Sequence, residues 1–440
     1  MSNRDRERIQ LLLWRAGFGA TPAQVDTATA TGYTQAVEGI LNYPDEVASP
    51  PPIPAWPVAP IVFSSPDEKT NYTKSVIATQ RARNDARSIG NRMLLAWWAD
   101  RLRTSLTPLQ ENLALFWHNH FATSLDKVDR PAYMLRQNQL LRAQGAGKFV
   151  DLLIAVSKDP AMLIWLDGQS NVKGHPNENW SREVMELFTI GIGNYTEQDV
   201  REGARASTGW ILSSDGNVAF NPQRFDTGIK TILGQSGAFT MDDFSRLLAN
   251  KPQTAKRIVH KLFLWFVGDD PTDADLAPML DAWNQTGGEI RSVLRALFTS
   301  DAFTVERATS AHVKNPAAWS VGILRGLAVD ITGEQLVGLM AIQDMTIFRP
   351  PNVGGWPNGT AWISPSNQVS RFNLAGGLVT KAGLLSGKAD DAFLDEIADR
   401  LGGIPIPDDL RGKLVALGSG PDGKRIITQV LLAGPGYQTR

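Results

Sequence analysis

Helix start and stop signals recur along most of this chain and leave little of it free to form a sheet. Thr21-Pro22, Thr107-Pro108 and Asp159-Pro160 each set a capping side chain before a proline suited to the first helical position. Thr196 with Asp199, and Thr240 with Asp243, are spaced as capping boxes with Asp in place of Glu or Gln. Gly17, Gly32, Gly145 and Gly191 follow apolar-periodic stretches, where a left-handed residue would end a helix. Between these marks Leu113, Phe116, Trp117 and Phe121 recur at helical spacing, as do Val184, Leu187 and Phe188. Alternating runs are scarce: Trp210–Leu212 and Val218–Phe220 flank Asp215-Gly216 and predict one small hairpin. The expected fold is mainly α, a multi-helix globular bundle with at most a small β-hairpin. No repeat of solenoid length is evident.

Two stretches break the helical pattern. Ser49 to Pro57 is polyproline-like and stiff, so residues 49–65 read as a spacer between an N-terminal helical pair (1–48) and a main helical domain (66–388). Phe348 to Pro357 is too rich in Pro and Gly for a helix, and Trp356 within it and Trp362 beyond it favour an ordered loop. Residues 389–440, with helical periods of their own, read as a small C-terminal helical lobe.

Composition removes several kinds of chemistry. With 440 residues, 42% hydrophobic and 20% charged, the chain can build an ordinary core. It has no cysteine, which excludes disulfides, thiolate nucleophiles, Cys-ligated zinc and iron–sulfur clusters. Its 44 basic and 45 acidic residues give a charge of −1, which argues against a nucleic-acid binder that neutralises phosphates. The apolar stretch Leu11 to Trp14 is broken by Arg15, too short for a signal-peptide core or a membrane span. The most apolar later stretch, Ile258 to Gly268, carries His260 and Lys261 and reads as a buried helix. The default location is cytoplasmic, or exported if a leader has been removed.

The densest polar cluster runs from Asn177 to Thr189. On a helix Asn179, Glu183 and Glu186 stand at i, i+4 and i+7 on one face, with Arg182 beside it. Two carboxylates one turn apart can bind a divalent cation, act as an acid/base pair, or pin an arginine. Ordinary surface ion pairs of about 0.3–0.5 kcal/mol account for the same spacing. In Phe116-Trp117-His118-Asn119-His120-Phe121 the two histidines point about 200° apart on a helix, so at most one faces a given site. A neutral imidazole with Glu183 and Glu186 suits Fe, Mn or Zn in a helical bundle. Asp226 and Lys230, in the loop after the hairpin, either face that site or pair on the surface. Nucleophile-elbow, phosphate-loop and zincin motifs are absent.

The stretches LLWRAGFGATPAQV, FWHNHFAT, NENWSREVMELFTIGIGNYTEQDVREGARASTGW, DTGIKTILG and RPPNVGGWPNGTAW together resemble the bacterial family catalogued as domain of unknown function 1800, over roughly Leu12 to Phe372. The resemblance implies a mainly helical protein, often encoded beside a partner catalogued as domain of unknown function 1501, and no established reaction. The family's recurrent polar positions fall on His118, Asn119 and His120, then on Asn177, Glu178, Asn179, Arg182, Glu183 and Glu186. They continue at Tyr195, Asp199, Arg205 and Trp210, and at Asp226, Gly228 and Lys230. Where relatives usually show His-Asp, this chain has Phe225-Asp226.

The expectation is therefore a metal-assisted or acid/base hydrolytic enzyme. Glu183, Glu186, Arg182, Asn179, Asp226 and Lys230 would be catalytic, and Trp210, Trp356 and Arg205 would bind substrate. One of His118 and His120 would join Glu183 and Glu186 on a divalent metal. The competing expectation is a non-catalytic scaffold that anchors a partner through Trp356 and Trp362, with the Glu-Arg cluster paired and buried.

Overall fold

The structure is a computed structural model and describes residues 3–44, 49–57, 66–213, 216–304, 312–383 and 386–439. It begins with α1 (Asn3–Gly17), α2 (Pro22–Thr31), α3 (Tyr33–Leu41), the long α4 (Pro66–Thr104), α5 (Pro108–His120) and α6 (Pro131–Gln144). Then come α7 (Phe149–Ser157), α8 (Pro160–Trp165), α9 (Asn179–Glu183), one π-helical turn (Val184–Phe188) and α10 (Glu197–Ala206). Two hairpins follow, β1 (Trp210–Leu212) with β2 (Val218–Phe220) and β3 (Lys230–Ile232) with β4 (Gln235–Gly237). The remaining helices are α11 (Met241–Ala249), α12 (Pro252–Phe266), α13 (Asp273–Thr286), α14 (Ile290–Thr299), α15 (Pro316–Gly326) and α16 (Gly333–Ala341). The chain ends with α17 (Pro365–Lys381), α18 (Asp391–Arg400), α19 (Asp408–Leu417), α20 (Gly423–Ala433) and α21 (Pro435–Gln438). None of the described helices is long and apolar enough to cross a membrane.

Local chemistry opens and closes these elements. Thr21, Thr196 and Thr240 form capping boxes with Gln24, Asp199 and Asp243, and Asp159 accepts from the amides of Ala161 and Met162. Gly32 and Gly191 take positive φ (+89° and +83°), and Gly32, with ψ 158°, is extended rather than left-handed helical. Gly145 keeps a negative φ, −62°. It is needed for closeness instead: a Cβ there would stand 2.8 Å from the Trp117 ring, whose Nε1 donates to Gly145 O. At the end of α1 the left-handed residue is Phe18 rather than Gly17.

The expected hairpin forms with Trp210 opposite Phe220, although Asp215 of its turn lies outside the described residues. The second hairpin gives no alternating signal because its last strand, Gln235-Ser236-Gly237, carries no apolar side chain; it turns through Leu233 and Gly234, both at positive φ, as a tight two-residue loop requires.

Two hydrophobic cores share α1 and α5. The first takes Leu11 and Leu12 of α1, with Phe116, Trp117, Phe149, Phe188, Phe244 and Phe263. The second takes Trp14 and Phe18, with Trp98, Trp319, Phe348, Leu394 and Tyr437. Residues 3–41 form three helices, because Gly32 breaks residues 22–41 in two. The C-terminal segment packs on the rest of the described chain: Tyr437 is fully buried and its hydroxyl donates to Trp319 O at 2.9 Å, while buried Arg371 of α17 bonds Gln438. The described part of the spacer runs against α4, where Trp97 and Arg83 donate to the carbonyls of Ser49 and Pro57.

Candidate functional site

Asn177 accepts from the amide of Asn179 and starts α9. Five residues on, the helical ladder widens into the π turn, a departure that frequently marks functional sites. The Thr189 hydroxyl donates to Val184 O and the Gly191 amide to Met185 O, holding the turn in place. Its last carbonyls point to neighbouring helices. Leu187 O accepts from Arg257 Nε at 3.1 Å, and Phe188 O accepts from His120 Nε2 at 3.1 Å.

Arg257 and Lys261 lie one turn apart on α12 and so share a face. Lys261 Nζ is 3.0 Å from His120 Nδ1. A carbonyl can only accept, so the imidazole proton sits on Nε2, and Nδ1 accepts from the lysine. Burial pushes the Lys261 amine down to about 7, and the Arg257 charge adds to that. Burial, then Lys261 and Arg257, holds the His120 imidazole well below its usual range, so it is neutral.

Glu183 ends α9 and Glu186 lies in the π turn. Burial raises the Glu183 carboxyl, the Glu186 charge raises it further, and Arg182 partly opposes them. Glu186 accepts from the Tyr195 hydroxyl at 2.6 Å; burial and that bond push the phenol up to about 12. The Glu186 charge also acts on Arg257, whose guanidinium burial lowers. Glu183, Glu186, Tyr195, Arg257 and Lys261 are each half-buried.

The other expected residues lie elsewhere or are engaged. Arg182 grips Glu197 with two bonds of 2.7 and 2.8 Å and reaches Glu178, clamping α9 to α10. Asn179 reaches Asp167, which pairs with Lys127. Arg205 holds Asp226 through two bonds of 2.8 and 3.1 Å and Glu202 through one of 2.7 Å. Lys230, 1% exposed, donates to the carbonyls of Asp226 and Gly228. Asp226, Lys230 and Arg205 thus staple one loop to α10. Phe225 lies with its ring centroid 4.8 Å from the Lys230 ammonium and so covers a buried cation. Trp210 packs on Phe220, with the Lys158 ammonium 4.9 Å from its ring.

His118 and His120 enter different cores. His118 sits in a box of Trp98, Phe348 and Trp356 rings, each 5.5 Å away, and burial drops its imidazole to about 3. Both nitrogens of His120 are engaged. Among the described residues no three His, Asp or Glu side chains gather closely enough to hold a metal ion. Trp356 and Trp362 are 5% and 2% exposed, and the Trp356 amide donates to Asn119 Oδ1, so the loop turns its indoles inward.

The sequence reading missed Lys261 and Arg257. The available signal was a lysine within the most apolar stretch of the chain, one turn after an arginine. A family model described as Protein of unknown function (DUF1800) matches residues 11–439. No curated protein and no solved structure matches.

Proposed function

The chain belongs to the DUF1800 family of proteins of unknown function, and from that premise we propose that it is an acid–base enzyme of hydrolytic type with Lys261 as base and Glu183 as acid. The observation that carries the reading is the Lys261 to His120 contact: a half-buried amine whose hydrogen-bond partner is a neutral imidazole and not a carboxylate. An amine at about 7 is about half free base at neutral pH. One of its N–H groups donates to His120 Nδ1, which leaves the nitrogen lone pair to take a proton from water or a substrate hydroxyl. Arg257, one turn away, stays cationic and can stabilise an oxyanion as it forms. Glu183, with its raised carboxyl, keeps a protonated fraction for the leaving group. Arg182, Arg205, Asp226 and Lys230 support the surrounding structure in this reading.

Competitive acylation across pH, read by mass spectrometry, tests it. Lys261 should titrate near 7 while surface lysines titrate near 10.4. In a panel of ester, amide and phosphoester substrates, Lys261→Met should lower turnover by about 10²–10⁴. Titration of Lys261 at the ordinary lysine value overturns the reading, as does hydrolysis indifferent to its loss.

A further inference from the structure

Arg257 and Lys261 share one face of α12, while Ile258, Val259, Leu262 and Phe263 turn into the first core. The two cations are held differently. Lys261 is half-buried, and its one hydrogen-bond partner among the described residues is His120 Nδ1 at 3.0 Å, so no carboxylate fixes it as an ammonium. Arg257 engages only its Nε, on Leu187 O. Its two terminal nitrogens have no hydrogen-bond partner among the described residues, yet neither is sealed from solvent. Gly191, at φ +83°, keeps that edge open, because a Cβ there would stand 3.1 Å from Nη1. The Glu186 charge offsets that of Arg257 at a distance, while its carboxylate accepts from Tyr195. What results is a near-neutral neighbourhood with one amine and one unused pair of N–H donors.

We propose that Lys261 is a covalent nucleophile that captures small, uncharged aldehydes and ketones as imines. The inference rests on the same free-base amine as the acid–base reading and adds a bond-forming step to it. Side chains one turn apart stand about 5–6 Å apart at Cβ, a span that one carbonyl group bridges. The nitrogen lone pair that His120 leaves free attacks the carbonyl carbon and forms the C–N bond. The π electrons of the carbonyl move to its oxygen, to which the terminal N–H groups of Arg257 donate as charge develops. That oxygen takes a proton and the nitrogen loses one to solvent, giving a carbinolamine. The nitrogen lone pair then expels the hydroxyl, protonated again, as water. Carbonyl and amine have become imine and water, with no oxidant or reductant consumed. The N–H of the protonated imine keeps His120 Nδ1 as its acceptor. A lysine desolvated beside a second cation is activated for this attack, and the offset charges of Arg257 and Glu186 favour an uncharged carbonyl compound over an anion.

The test incubates the full chain at neutral pH with acetaldehyde or acetone and cyanoborohydride, which reduces an imine to a stable secondary amine. Peptide mapping by mass spectrometry then locates the adducts. Lys261 should be modified about 10³-fold ahead of exposed lysines, the ratio of free amine set by about 7 against 10.4. A folded Lys261→Met variant should lose that adduct and keep the slow surface ones. A folded Arg257→Met variant should form it about tenfold more slowly or worse, compared at about pH 9 so that the amine is free in both proteins. Mapping of the unaltered chain decides the question even if neither variant folds. Adducts confined to exposed lysines overturn the proposal, as does capture at full rate without Arg257. If Lys261 titrates near 7 but forms no adduct, the acid–base reading survives and the imine alone falls. If it titrates at the ordinary lysine value, both fall.

Discussion

At Lys261 an ammonium would sit half-buried between Arg257 and the His120 ring, and burial lowers the amine from the ordinary 10.5 to about 7. Because the folded value lies below the unfolded one, the folded chain binds fewer protons between them. The stability this group contributes is present above 10.5 and is lost as pH falls through that window to about 7. Lys261→Met should therefore stabilise the protein by about 1–3 kcal/mol at neutral pH and below, with the difference shrinking as pH rises toward the ordinary lysine value. Urea unfolding at several pH values measures it; a difference independent of pH counts against the burial argument. At this scale the sequence was legible in part. The concentration of Glu, Asn and Arg after Asn177 stood out, and its spacing raised the pairing that occupies Arg182. Opposed directions for His118 and His120 followed from helix geometry alone. What spacing could not supply was the third helix: Lys261 lies 141 residues from His120 along the chain, and only packing brings the two nitrogens together.

Among the elements, α5 is where the cores and the site meet, and it is pinned by a charge as well as by its aromatic residues. Glu111, fully buried, accepts from Arg101 of α4 at 2.8 Å and also pairs with Arg142 of α6. Two arginines on one carboxylate tie three helices together, but such a group stabilises only while all its members are present. Glu111→Ala would leave Arg142, 5% exposed, without its carboxylate, and should cost about 3–5 kcal/mol in urea unfolding. A cost below about 1 kcal/mol would show that the triad is neutral ballast. The capping boxes that open α10 and α11 were legible because each is a local contact of four residues, and at α2 the Thr21 cap was legible but its reciprocal bond from Gln24 was not. The π turn was not, since Val184, Leu187 and Phe188 suit an α-helix equally well over so short a span. What separates the two is the pull of Arg257 and His120 on the carbonyls of Leu187 and Phe188.

For the whole molecule the question is whether residues 389–440 are an appendage or part of the fold. Helical periods bounded by glycines made them look separable. Yet the family match runs to residue 439, and the packing gives the physical reason. Leu394, Ile397, Leu432 and Tyr437 are each at most 1% exposed and belong to the core that holds Trp98, Trp319 and Phe348. Burying each is worth about 1.5–3 kcal/mol, so their loss together exceeds a typical net stability of about 5–15 kcal/mol only if several count in full. The polar contacts tip that balance. Arg371, fully buried, bonds Gln438, Gln343 and Lys314 O, so removing Gln438 leaves part of a buried guanidinium unsatisfied. A chain ending at about residue 388 should therefore lose cooperative unfolding and bind a hydrophobic dye, and adding residues 389–440 as a separate peptide should not restore a sharp transition. A truncated chain that still melts cooperatively would make the segment a lobe after all.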